Sequence, residues 1–184
     1  MRNPITSMLQ IGQKLPLESI KTIMNKDIAL AHGSGLIHIQ MRRFSGCPLC
    51  NVHLVLLAER MTEIAAKGII EVVVFRTSDV IIKENQGSVE WAKDLNFFGD
   101  EEGKLYKLFG IENKGMMGYM NLKAIKLGLS GMKYVKGYRK FGKKVYNCPM
   151  DILVDSSTGT IVALKYGTTV YDQWSVDELL SLVK

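Results

Sequence analysis

A chain of 184 residues with 47% hydrophobic and 23% charged side chains has the length and balance of one ordinary globular domain with a full sheet-and-helix core. No apolar run reaches the roughly 18 residues a membrane-spanning helix needs. Gln10, Gln13, Lys14 and Glu18 break up the N-terminal apolar residues, so a secretory leader is not expected. The three cysteines do not suggest a structural disulfide framework and imply a reducing, cytoplasmic setting. The net charge of +6 is uneven: between Lys114 and Met150 stand nine Lys or Arg and no Asp or Glu.

Residues 1–34 read as an N-terminal extension that joins the domain. Gly12-Gln13-Lys14-Leu15-Pro16 is a turn-like lead-in, because the residue before a proline is pushed toward extended geometry. Residues 17–23 and 28–30 each predict a short strand or a single turn. The loop 31–35 follows, with His32 on its surface. Leu36 to Met41 is an apolar run that predicts a buried strand, and His38 inside it reads as a sheet-face residue with a local partner. Then comes Arg42-Arg43-Phe44-Ser45-Gly46-Cys47-Pro48-Leu49-Cys50-Asn51-Val52-His53. A Cys-x-x-Cys between a strand and a helix is a redox signature in a reducing compartment. Cys47 falls at or just before the first helical turn, where free backbone N–H groups and the helix dipole stabilise a thiolate. Pro48 suits the first helical position, where its missing N–H costs nothing. Cys50 lies one turn on, placed to attack a mixed disulfide on Cys47. Arg42 and Arg43 supply charge that lowers a nearby thiol pKa, and one of them should point away because strand neighbours alternate faces.

The helix is expected to run to about Lys67 and stop at Gly68. Ile69 to Phe75 reads as a parallel strand buried on both faces. Thr77-Ser78-Asp79 offers caps for a helix through Val80 to Leu95, weakened by Gly87. Asn96 to Phe98 is a brief extended piece, 100–103 a turn, and Leu105 to Gly110 a short helix closed by glycine. Residues 113–147 form a basic Gly/Met-rich insertion, expected either as a partly helical cover over the domain or as a flap. Ile152 to Asp155 and Thr160 to Tyr166 predict a hairpin around 156–159. Ser175-Val176-Asp177-Glu178 is a capping box that opens a closing helix. The pattern is α/β: a thioredoxin-like fold with a central mixed sheet flanked by helices, as a single domain over 1–184.

The segments 42–50, 71–75, 104–110 and 152–162, with the lead-in 12–16, resemble the peroxiredoxin-like proteins of the AhpC/TSA antioxidant group. The likeness spans about residues 10–184 and is weakest over the basic insertion. It implies a thioredoxin-like fold and a redox-active cysteine pair. Peroxiredoxins of that group carry Pro-x-x-x-Thr-x-x-Cys. On that frame Cys50 would take the peroxidatic place, with Cys47 replacing the threonine and Arg43 the proline. The family's arginine near the end of the domain is replaced by Asn147-Cys148-Pro149-Met150. This looks instead like the cis-proline of thioredoxins, so the resemblance implies a cis Pro149 that offers a backbone edge to substrate. The Cys-Pro-x-Cys order is also similar to glutaredoxins, without a recognisable glutathione-binding set.

The residue pattern therefore points to a thiol–disulfide oxidoreductase in which Cys47 attacks and Cys50 resolves. Pro149, Cys148 and Arg43 are the accessory candidates. The first alternative is a thiol peroxidase, with Cys50 peroxidatic and Cys47 resolving. The second is a non-enzymatic binding module that docks a partner through the basic insertion. Cys47, Cys50, His53 and Cys148 could also be read as zinc ligands, but a second close ligand pair is missing. No cofactor is expected. The expected partners are a protein disulfide or a peroxide, and a thiol reductant. Specific nucleic-acid binding is not expected, because no such motif is present.

Overall fold

The computed structural model describes residues 8–87, 89–111, 122–135, 138 and 146–183. The two apolar runs form its central strands, β3 (Leu36–Arg42) and β4 (Ile69–Phe75), paired in parallel. β1 (Ser19–Lys21) and β2 (Asp27–Ala29) precede them as a separate antiparallel ribbon. The chain crosses from β3 to β4 through α1 (Pro48–Ala58) and α2 (Met61–Ala66). After β4 come α3 (Asp79–Gln86), β5 (Asn96–Gly99) and α4 (Lys104–Leu108). These are followed by α5 (Leu122–Gly131), β6 (Met150–Asp155), β7 (Thr160–Tyr166) and α6 (Val176–Ser181). The large sheet runs β5-β4-β3-β6-β7, with β6 and β7 antiparallel to their neighbours. It is a mixed five-stranded sheet with helices against it. Among the described residues no helix is long and apolar enough to cross a membrane.

The N-terminal extension is part of this framework. Gly12 N donates to Ile161 O at 2.8 Å, Leu15 N to Gly159 O at 2.9 Å, and Ile161 N to Gln13 O at 2.9 Å, so residues 12–15 lie along β7. The expected capping box is present: Ser175 N donates to Glu178 Oε2 at 2.7 Å, and Glu178 N to Ser175 Oγ at 3.2 Å.

Two helices depart from expectation. The one expected to reach Lys67 breaks at Arg60, which leaves helical geometry (φ −117, ψ 19). Its guanidinium clasps Glu63 at 2.7 Å and Asp177 of α6 at 2.5 Å. The helix expected to reach Leu95 stops at Gly87, a residue that favours the helix interior poorly. A single turn at Glu90–Ala92 follows it. Of the insertion at 113–147, residues 122–135 are α5 and one further turn, Met132–Tyr134, while 113–121, 136–137 and 139–145 lie outside the described residues.

The sheet separates two apolar cores. Strand alternation sends Ile37, Ile39 and Met41 of β3 into one of them, together with Val72, Val74, Ile152 and Val154. The opposite face of the same strands carries His38, Gln40 and Arg42, with Glu71 on β4 and Asp151 on β6, all fully or almost fully buried. These groups pair with one another, while Arg42 Nε has no hydrogen-bond partner among the described residues. His38 Nδ1 meets Glu71 Oε2 at 2.8 Å and His38 Nε2 meets Asp151 Oδ1 at 3.1 Å. Gln40 Nε2 donates to Glu71 Oε2 at 2.6 Å. Arg42 Nη2 donates to Asp151 Oδ1 at 2.6 Å and to Gln40 Oε1 at 2.7 Å. Charges taken out of water are tolerated only when paired and hydrogen-bonded in this way. Burial alone would lower the His38 pKa, but the carboxylates of Glu71 and Asp151 outweigh it and raise it from 6.5 to about 9.

His38 thus holds its proton more tightly in the folded chain than in the unfolded one. Its stabilisation is complete below pH 6.5 and is lost as pH rises through 9. The stability gap between wild type and His38→Asn, read from urea unfolding under reducing conditions, should shrink by on the order of 3 kcal/mol between pH 6 and 9.5. A gap that stays constant with pH would contradict a charged His38.

Candidate active site

The loop between β3 and α1 contains Gly46 and could adopt many conformations, yet it is tied on every side. Ser45, fully buried, donates its N–H to Thr77 Oγ1 at 3.1 Å and accepts from Asn85 Nδ2 on its hydroxyl at 3.0 Å. Its carbonyl accepts from Asn51 Nδ2 at 2.7 Å and Gln86 Nε2 at 3.0 Å. Asn51 Nδ2 also reaches Cys47 O at 2.9 Å. Cys47 is the N-cap of α1 (φ −74, ψ 115) and Pro48 follows at the start of the helix, as the spacing predicts. The Asn51, Thr77, Asn85 and Gln86 clamp was not read from the sequence. Its only trace there is a set of amide side chains on α1 and α3 and a threonine just before α3.

Cys47 and Cys50 are both free thiols, buried at 2% and 4% exposure. They are close enough to share a hydrogen bond, and Arg43 Nη2 donates to Cys47 Sγ at 3.0 Å. Burial pushes the Cys50 thiol up, but the hydrogen bond from Cys47 and the charges of Arg43 and Arg42 reverse this and bring it down to about 5. Burial and the neighbouring Cys50 hold the Cys47 thiol well above its usual value, against the pull of Arg43. The arginine contact falls on one sulfur and the lowered value on the other. Both describe one negative charge held across the pair, since two adjacent buried thiolates repel each other. At neutral pH the pair is a thiol and a thiolate sharing one proton.

Arg42 and Arg43 part as strand alternation requires, but neither reaches solvent. Arg43 turns to the sulfurs. Arg42 turns into the polar layer, where its Nη1 also donates to Met150 O at 3.3 Å. His53 on α1 is buried among these groups, with Nε2 at 3.4 Å from Arg42 Nη2. Burial and the Arg42 charge lower its pKa to about 3, so it stays neutral and accepts from the arginine. It contacts Arg42, which lies one layer below the sulfurs. Among the described residues no three His, Cys, Asp or Glu side chains converge as metal ligands.

Cys148 and Pro149 sit at the same end of the sheet, just before β6. Cys148 is buried, and both line a separate cleft of about 270 Å³ with Gly110, Ile111 and Tyr166. Neither Cys47 nor Cys50 lines that cleft. The peptide bond before Pro149 is trans, as are all peptide bonds among the described residues. The expected cis geometry is therefore corrected. The Pro149 carbonyl already accepts from Gly167 N at 2.9 Å, because the chain leaving β7 folds back over it.

α5 covers the site. A Cβ on Gly131 would lie 2.3 Å from Pro48 O and 2.8 Å from Val52 Cγ2, so only glycine lets α5 sit this close to the start of α1. Tyr138 Oη donates to Asn51 Oδ1 at 3.3 Å from the same side.

No protein-family model matches this chain, and no curated protein matches it by sequence. Its backbone nevertheless resembles solved structures. Reduced Prx3 of Vibrio vulnificus in complex with hydrogen peroxide superposes with a TM-score of 0.67 at 12% identity, covering 96% of this chain and 100% of that one. A peroxiredoxin-like protein of Aquifex aeolicus gives 0.64 at 14% identity, covering 96% and 87%. A protein assigned as the thiol:disulfide interchange protein DsbE of Chlorobium tepidum gives 0.58 at 16% identity, covering 96% and 99%. At such identities the likeness speaks for the fold. The chain has a thioredoxin-like fold, and its backbone is similar to those of peroxiredoxins.

Thiolate absorbance near 240 nm in the reduced chain should titrate with a midpoint at about 5. Arg43→Met removes the cation at the sulfurs and should raise that midpoint by at least one unit, leaving far-UV circular dichroism unchanged. An unmoved midpoint would mean that Arg43 does not hold the thiolate.

Proposed function

We propose that this chain is a thiol–disulfide oxidoreductase working through Cys47 and Cys50. The observation that carries the proposal is the hydrogen-bonded sulfur pair at the start of α1, with Arg43 Nη2 3.0 Å from Cys47 Sγ. Cys47, as thiolate, attacks one sulfur of a substrate disulfide. A Cys47–substrate mixed disulfide forms, and the other substrate sulfur leaves as a thiolate and takes a proton. Cys50 loses its proton and attacks Cys47 Sγ, which releases the second substrate thiol and leaves a Cys47–Cys50 disulfide. An external dithiol reduces that disulfide by two further exchanges. The negative charge shared over the pair gives Cys47 access to its thiolate form, and Arg43 steadies it while the charge moves.

A second reading has one observation of its own. Cys50 is the sulfur whose pKa falls to about 5, under both Arg42 and Arg43. A Cys50 thiolate would attack the O–O bond of a peroxide, releasing water or an alcohol and becoming a sulfenic acid. Cys47 would then condense with it to a disulfide and expel water. The absence of the usual threonine and proline around Cys50, and a bound arginine where the family keeps the proline, weigh toward disulfide exchange.

Trapping separates the two readings. Cys50→Ser should accumulate mixed disulfides on Cys47 when mixed with an oxidised protein substrate such as insulin, and wild type should reduce insulin with a dithiol donor. Cys47→Ser should abolish that reduction. If Cys50→Ser traps nothing while wild type consumes peroxide with a thiol donor, the peroxidase reading replaces the first. A chain that does neither is a scaffold that docks partners.

A further inference from the structure

The packing of α5 is inverted. Its buried residues are Ala124 and Gly131, with Leu127 half-buried beside them, and it lies close against α1 through Gly131. Its large apolar residues point the other way: Leu122 is 86% exposed, Ile125 53% and Leu129 70%, with Met132 at 53% in the next turn. At 3.6 residues per turn these four lie on one stripe. Lys126 and Lys133 run along the edge of that stripe and Lys123 lies further round, stacked over Tyr171 with Nζ 4.8 Å from the ring centre. A helix whose only purpose was to cover α1 would put its leucines inward and its lysines outward. This one keeps both outside, side by side.

Charge decides among the occupants. Residues 122–135 carry three lysines and no acid, and the wider stretch from Lys114 to Met150 carries nine basic residues and no acid. A second copy would bring the same positive surface to meet itself, which repulsion opposes. The stripe is convex, and side chains that protrude from a helix flanked by lysines suit a yielding surface: the apolar groups enter the acyl boundary and the lysine stems snorkel to the headgroups. We infer that α5 is a peripheral membrane-docking helix that lays Leu122, Ile125, Leu129 and Met132 into an anionic phospholipid surface, with Lys126 and Lys133 on the headgroups. The inference stands independently of the cysteine chemistry. Because α5 also lies on Pro48, it would hold the cysteine pair about one helix diameter, roughly 10 Å, from the bilayer.

Vesicle sedimentation of the full, reduced chain tests it, with phosphatidylcholine vesicles compared with 7:3 phosphatidylcholine–phosphatidylglycerol vesicles. Wild type should pellet with the anionic vesicles and stay in solution with the neutral ones. The double variant Ile125→Ser/Leu129→Ser should lower the partition coefficient at least 10-fold, and Lys126→Gln about fivefold. All three positions are exposed, so melting temperatures should match wild type, and a variant that melts lower is replaced by Leu129→Gln alone. Binding that survives loss of Ile125 and Leu129 reduces the effect to plain charge attraction and overturns the inference. Failure of wild type to bind anionic vesicles also overturns it. In that case a dimer lost in the double variant assigns the stripe to a second copy.

Discussion

Arg42 and Asp151, wholly buried and 2.6 Å apart, are the contact on which the rest of the site depends. The pair joins β3 to β6 on the face that lies under α1, and His38, Gln40 and Glu71 extend it to β4. Removing one member would strand its partner in a low-dielectric interior, a loss far larger than that of any surface ion pair. Burial opposes ionisation of Asp151, yet Arg42 and His38 drive its pKa well below the usual carboxylate range, and the layer as a whole balances its charges. Its positive end lies toward the cysteines. Arg42 adds to Arg43 in lowering the Cys50 thiol, so a layer that fastens the sheet also sets the charge state of the sulfurs above it.

The sequence made the framework legible. β3, β4, the hairpin β6–β7, the capping box at Ser175 and the Cys-Pro-x-Cys opening of α1 all follow from short-range patterns: apolar runs, turn residues, and caps within four residues. The polar layer was only half legible. His38 stood out as a lone histidine in an apolar run, but its partners are far away along the chain, 33 residues at Glu71 and 113 at Asp151. Pairing at that distance is a property of register, not of spacing. The same limit hid the clamp on Ser45, assembled from three separate elements. The trans geometry at Pro149 shows the reverse case, where an analogy with thioredoxins implied a cis bond that the backbone does not have.

The basic insertion changed most. Its glycines read as irregularity in the sequence, yet Gly131 marks the close approach of α5 to α1. Leu122, Ile125 and Leu129 among its lysines are residues left facing out. With the sulfurs at 2% and 4% exposure, a substrate disulfide meets Cys47 only when the packing around the pair opens.

The proposed chemistry requires Cys47 and Cys50 to react as one unit. Equilibrating the full chain in thiol–disulfide buffers of graded potential, quenching in acid and mapping the cysteines by mass tests this most directly. A single two-electron transition to a Cys47–Cys50 disulfide is expected. Its potential should be more oxidising than the roughly −270 mV of thioredoxin, because a stabilised thiolate favours the reduced form. Oxidation that leaves Cys47 and Cys50 unjoined, or that modifies them independently at different potentials, would contradict it.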